Sequence, residues 1–258
     1  MSLPTLDALA AFLHDALGAD AYPPEERGGV FHAPATRVAA GRPLTRLGLA
    51  LDPWPGLRAW AARGAFDAVF LHRPWRLAQG TLGPEVGVVY AHLPFDEHLT
   101  TGDNAPLAAA LGFRTREVLG RKQGRPIGML GDVSPRPVAD ALALVTRVFG
   151  GVEAVVLPAP ARTVAQVAVV GAMNDALVRE AAARGAGLYV TGQLRAAARA
   201  AVDETGIAVA AVGHEESERW GLGALADLVG SRWPALQVAI ADAPAAGLLH
   251  PPSTADQP

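Results

Sequence analysis

The feature that most restricts this chain is a series of short apolar runs separated by stretches of a different periodicity. Residues 47–51, 67–71, 86–90, 154–157, 166–170, 187–190, 207–212 and 236–240 are rich in Val, Ala, Leu and Ile and are each four to six residues long. Runs of that length and composition read as buried strands. Between them, residues 54–63, 175–184 and 194–202 carry apolar side chains at helical spacing, as do residues 6–17, where Thr5 is the expected N-cap and Gly18 the stop. Strands alternating with helices imply an α/β architecture in which helices cover sheets. Residues 19–46 are expected to be loop with one short strand at 30–32, and residues 134–148 a helix opened by Ser134-Pro135. The stretch 124–137, rich in Gly and Pro, is the best candidate for a boundary, which gives subdomains at 1–125 and 126–250 and a flexible tail at 251–258.

With 258 residues the chain can bury a substantial core. A net charge of −3 offers no electrostatic case for nucleic acid or an anionic membrane as partner. Five cations cluster between Arg114 and Arg125, and a solvated loop or edge strand is the expected reading there. The apolar runs are too short and too interrupted to span a bilayer. The N-terminus lacks the basic region and apolar core of a secretory signal, so a cytoplasmic protein is expected. There is no cysteine, so any metal must be held by His, Asp and Glu. No Walker loop, Gly-x-Gly-x-x-Gly or Gly-x-Ser-x-Gly follows a strand.

Three strand ends carry residues able to hold a cation: His72 after 67–71, His92 and Asp96 after 86–90, and His214 and Glu218 after 207–212. Ligands of open α/β sheets gather at such ends. If a helix starts at His214, Glu218 lies one turn on, on the same face. An imidazole and a carboxylate so placed can bind zinc, iron or manganese; the same residues also suit a helix N-terminus, where acidic groups offset the macrodipole. Pro94 argues against a helix after His92, which places His92 and Asp96 on a loop. Asn104 and Pro106 are start signals for a short helix at 107–111.

The run from Ala91 to Ala108, His-Leu-Pro-Phe-Asp at its start and Gly-Asp-Asn-Ala-Pro-Leu-Ala at its end, resembles the His-x-x-x-Asp…Gly-Asn-Asn-x-x-Leu-Ala segment of the Nif-three-like family. Gly213-His214-Glu215-Glu216-Ser217-Glu218-Arg219-Trp220-Gly221 is similar to that family's C-terminal Gly-His-x-x-Ser/Thr-Glu-Arg-x-Gly motif, and Tyr189-Val190-Thr191-Gly192-Gln193 to its Ile-Thr-Gly-Glu segment. The resemblance runs from about residue 50 to residue 229. It implies an α/β fold with two metals in a cleft and assembly as a ring-shaped homohexamer. Bacterial members carry the name GTP cyclohydrolase I type 2 homologue. Carried over by motif, Glu218 would bridge the metals, Asp96 would sit on one and His214 on the other, with His72 and His92 beside them.

The family's His-His-Pro aligns with His72-Arg73-Pro74, so Arg73 stands at the second histidine. A guanidinium has no lone pair to give a metal. Arg73 is therefore expected to fill the space of one metal with its own charge, leaving one or two divalent ions per chain as the alternatives. Gln193 replaces a carboxylate, and Gly171-Ala172-Met173-Asn174 a more glycine-rich turn. Two functions stay open. One is metal-assisted hydrolysis of a small molecule or nucleotide, with Glu218 or Asp96 holding the water and His92 or His98 donating a proton. The other is a non-catalytic metal-binding or interaction module.

Overall fold

The apolar runs condense into two sheets, and the chain passes from one to the other and back. The computed structural model describes residues 2–157 and 163–242. In chain order its elements are α1 (Leu6–Ala16), β1 (Gly29–His32), α2 (Arg37–Ala40), β2 (Arg46–Ala50), α3 (Leu57–Gly64), β3 (Ala68–Leu71), β4 (Gly87–Tyr90), α4 (Leu93–Leu99), α5 (Ala105–Ala110), β5 (Glu117–Val118), β6 (Arg121–Lys122), β7 (Arg125–Pro126), β8 (Gly128–Pro137), α6 (Val138–Phe149), β9 (Ala154–Val156), β10 (Thr163–Val170), α7 (Asp175–Ala183), β11 (Leu188–Thr191), α8 (Arg199–Thr205), β12 (Ala208–Ala211), α9 (His214–Arg232) and β13 (Gln237–Ile240). The first sheet has the order β1-β4-β3-β2-β13 and the second β5-β8-β10-β11-β12-β9; β6 and β7 form a separate two-stranded ribbon. Pairing is parallel through β13, β2, β3 and β4, and again through β10, β11 and β12. The expected tail at 251–258 lies outside the described residues.

Side-chain caps open several of the helices. The Thr5 side chain accepts from Ala8 N–H at 3.3 Å, and Asn104 and Asn174 accept from Leu107 and Leu177 N–H at 3.1 and 2.9 Å. The expected strand at β1 is present, but the loop around it also holds α2, capped by Thr36. Four expectations need correction. α4 occupies the segment after His92 that Pro94 was expected to keep as loop, because proline in the first helical turn loses no intrahelical bond. The helix expected from Ser134 begins at Val138, since residues 128–137 form β8, paired with both β5 and β10. α3 starts at Leu57 and not at residue 54, and ends in a C-cap at Ala65 with φ +47°. A 3-10 turn precedes α8, which shifts that helix to residues 199–205.

The sheets do not follow a single cut of the chain, because β13 returns to pair with β2. α9 makes the return possible. It starts where β12 of the second sheet ends, yet its Leu222, Leu225 and Val229 are buried with Leu6, Leu9 and Leu13 of α1 against Leu47, Leu49, Phe70 and Val89 of the first sheet. Removing such side chains from water stabilises by about 2 kcal/mol each. One long helix thus ties the layers together and fixes its first turn over the ends of β3 and β4.

Candidate metal centre

The ladder of the first sheet continues two residues past β3: His72 N–H donates to Ala50 C=O at 3.2 Å and Arg73 N–H to Leu51 C=O at 2.9 Å. His72 is held at the end of β3, beside the end of β4. There His92 leaves the extended backbone and becomes the N-cap residue of α4, with Asp96 in the first turn. From the other sheet, β12 turns into α9 at Gly213, whose φ of +100° is one that glycine adopts readily. His214 and Glu218 follow on one face of α9. The close approach of α9 to α4 depends on Gly221: a Cβ there would lie 2.8 Å from the Phe95 ring and 3.1 Å from Leu99 C=O.

The geometry around His72 decides what the cleft can hold. Its Nδ1–H donates to Ala91 C=O at 3.0 Å, which leaves Nε2 facing inward. Nε2 is fully buried, has no hydrogen-bond partner, and lies 3.3 Å from both Asp96 Oδ1 and Glu218 Oε1. His92 is oriented in the same way: its Nδ1 lies 2.9 Å from Glu26 Oε2, and its Nε2 is 3.9 Å from Asp96 Oδ2. A carboxylate or carbonyl behind each imidazole is the usual support of a metal-ligating histidine. His72, His92 and Asp96 each offer one ligand atom, all within 4.8 Å of one another. Converging lone pairs in a buried place require a positive charge between them. In the ion-free protein a proton meets that need: burial works to lower the pKa of His72, but the carboxylates of Asp96 and Glu218 outweigh it and raise the value to about 9. The residues fit a divalent cation.

The other expected residues have partners of their own. Glu218 is buried, and its oxygens are taken by Arg73 Nη1 at 2.6 Å and Nη2 at 2.9 Å. His214 Nε2 is 2.9 Å from Glu218 Oε1. Burial alone would raise the Glu218 pKa, but the donors and positive charge of His214, His72 and Arg73 around it hold it well below the usual carboxylate range. His98 packs at the ring of Tyr22, two residues past Asp96 on α4, and burial lowers its pKa. Two contributors were missed. Glu26 sits in a single turn of 3-10 helix that no strand-end pattern marks. Asp52, which pairs with Arg73, follows β2 by two residues, so the strand-end rule that found His72 could have found it.

The model of the Duf34/NIF3 (NGG1p interacting factor 3) family matches residues 59–244, about seven-tenths of the chain and all of the cleft except Glu26 and Asp52. The chain belongs to the Duf34/NIF3 family. Curated relatives of this NIF3-family chain carry the name GTP cyclohydrolase 1 type 2 homolog. One from Neisseria meningitidis is 32% identical over 143 residues, covering 55% of this chain and 56% of that protein, so the match spans little more than half of the relative. One from Halobacterium salinarum is 33% identical over 178 residues and 68% of each chain. Among solved structures, a Thermus thermophilus protein superposes with a TM-score of 0.70 at 20% identity, covering 94% of this chain and all of that one. A Bacillus cereus protein related to NIF3 gives 0.66 at 13% identity, covering 94% and 98%. Likenesses at that identity establish the fold. Among the described residues no helix is long and apolar enough to cross a membrane.

Proposed function

We propose that this NIF3-family protein binds a divalent cation through His72, His92 and Asp96, with the buried negative charge of Glu218 beside it, and uses it for hydrolysis of a small molecule or nucleotide. The observation that carries the reading is His72 Nε2: a buried nitrogen without a partner, aimed at two carboxylates. When bound, such an ion supplies a positive charge that polarises a carbonyl or ring carbon and acidifies water. The residues around it divide the remaining work. His72 and His92 present Nε2 in fixed orientations. Glu218, held ionised by Arg73 and His214, anchors the cluster and is too weak a base to take a proton. Asp96 is partly exposed, so it is the carboxylate able to accept a proton from water at the mouth of the cleft. Ring hydrolysis of GTP comes to the proposal from the names of the relatives alone. A homohexameric ring in the cytoplasm belongs to the same proposal.

The test is elemental analysis of the purified protein after loading with zinc, manganese or iron(II), followed by assay of formate release from GTP. A stoichiometric ion in the wild type, lost in His72→Ala, with metal-dependent formate release is the expected result. A bound ion without turnover of any nucleotide would leave a non-catalytic metal-binding module, a reading that the closed ion pairs of Arg73 favour. Absence of ion binding under all three loadings would sink both.

A further inference from the structure

Glu218 has a cation position on each side. One faces His72 and Asp96, where among the described residues no cationic side chain other than the His72 imidazole enters. The other lies between Glu218, Asp52 and His214, and the guanidinium of Arg73 fills it. We infer that Arg73 is the second cation of this cleft, built into the chain, so that the protein takes one divalent ion and excludes a second.

The hydrogen bonds of Arg73 account for the whole group. Nε donates to Asp52 Oδ1 at 3.0 Å and Nη2 to Asp52 Oδ2 at 2.7 Å. Nη1 donates to Glu218 Oε1 at 2.6 Å and Nη2 to Glu218 Oε2 at 2.9 Å. These are two fork-on-fork pairs, which use four of the five N–H groups of a guanidinium. The fifth, on Nη1, faces His214 Nε2 at 3.4 Å. With four of its N–H groups committed to two carboxylates, the guanidinium has no paired donor face left to clamp a phosphate or carboxylate of a substrate. It serves the cleft as a fixed charge.

The same contacts explain why no ion can enter beside it. A metal there would need the lone pairs of Glu218 Oε1 and His214 Nε2. The first already accepts from Nη1, and the second lies 2.9 Å from that same oxygen, a separation at which the imidazole donates its proton to the carboxylate. Protonated lysine or histidine could lose its charge to make room, but arginine cannot be deprotonated in a protein. A second ion would meet a permanent positive charge across a single carboxylate. Chemistry at this site is therefore restricted to one metal ion, with no second ion to hold the attacking or leaving oxygen.

The inference builds on the proposed metal centre, and the experiment separates the two. Manganese(II) binding is measured by elemental analysis and titration calorimetry on wild type, Arg73→His, His72→Ala and the double variant Arg73→His/His72→Ala. Wild type should bind one equivalent, Arg73→His two, His72→Ala none, and the double variant one. Electron paramagnetic resonance of the manganese-loaded wild type should give the six-line spectrum of an isolated ion, a readout that needs no variant to fold. Two equivalents in wild type, or an exchange-coupled spectrum, would overturn the inference. So would a folded Arg73→His protein that binds no more ion than wild type. No ion in wild type but one in Arg73→His would refute the proposed wild-type metal centre while supporting the place assigned to Arg73.

Discussion

Asp96 and Glu97 are neighbours on α4, and they face opposite electrostatic fates. Glu97 turns toward the β6–β7 ribbon and meets donors on both oxygens: Tyr22 OH at 2.8 Å and Arg125 Nε at 2.8 Å on Oε2, and Arg125 Nη2 at 3.2 Å on Oε1. The Arg125 guanidinium also lies 4.4 Å from the centre of the Tyr22 ring. Asp96 turns toward the cleft and meets two imidazoles that their own Nδ1 contacts orient as lone-pair groups. Glu97 is complete without a ligand and fastens α4 to the strand ribbon of residues 121–126. Asp96 is complete only when a cation arrives. A single residue step along α4 thus separates a structural carboxylate from a functional one, and the chemistry of their partners distinguishes them.

The most direct way to break this comparison is the isosteric pair Asp96→Asn and Glu97→Gln. Asp96→Asn should weaken divalent-ion binding by about 100-fold or more, since a carboxylate ligand is lost, while changing the stability of the ion-free protein little. Glu97→Gln should leave ion stoichiometry intact and cost about 3 kcal/mol, because it strands a buried guanidinium. At this chain length that is a fall of roughly 6–12 °C in Tm. Calorimetric titration and thermal unfolding, run on both variants, read the two effects separately; equal losses in both assays would erase the distinction.

Gly221→Ala probes the approach that brings Glu218 over Asp96. The added Cβ meets the Phe95 ring and Leu99 C=O, so the change should destabilise by about 1–3 kcal/mol and loosen ion binding in proportion. Tighter binding in this variant would show that the helix spacing does not set the cluster.

The smallest effect is pH dependence. His72 has its pKa raised to about 9 in the ion-free protein, so it carries a proton at neutral pH that an incoming ion must displace. Ion affinity should then fall as pH drops below about 9, by up to about tenfold per unit, with roughly one proton released per ion bound. Titrations in buffers of different ionisation enthalpy measure that proton. Asp96→Asn removes one of the carboxylates that raises the value and should flatten the dependence; a wild-type affinity unchanged from pH 6 to 9 would contradict it.

Much of the cleft was legible because strand ends are local events. A run such as Ala68–Leu71 ends where its apolar residues end, so His72 and Arg73 are delivered to the sheet edge by residues beside them in sequence. Asp52 was legible by the same rule and was overlooked. Pro94 misled because its position within a helix matters more than its presence: at a first turn it costs nothing, and it leaves His92 and Asp96 one turn apart on α4. The basic cluster from Arg114 to Arg125 was read as solvated. That holds for the exposed Arg116 and Arg121, whereas Arg125 is buried against Glu97. Nothing within a few residues of Arg125 distinguishes it from the others.

By itself the sequence determined the alternation of strands and helices, the caps at Thr5, Asn104 and Asn174, and the residues standing at the strand ends, all of which depend on groups within about four positions of one another. Only the tertiary structure decided which charges are paired. Arg73 and Glu218 are 145 residues apart, one just after β3 of the first sheet and the other on α9, which follows β12 of the second. They meet because α9 crosses from one sheet to the other and packs closely on α4. A side chain's charge is written in the chain, but whether that charge is neutralised depends on distances of a few ångströms between elements that the fold alone brings together.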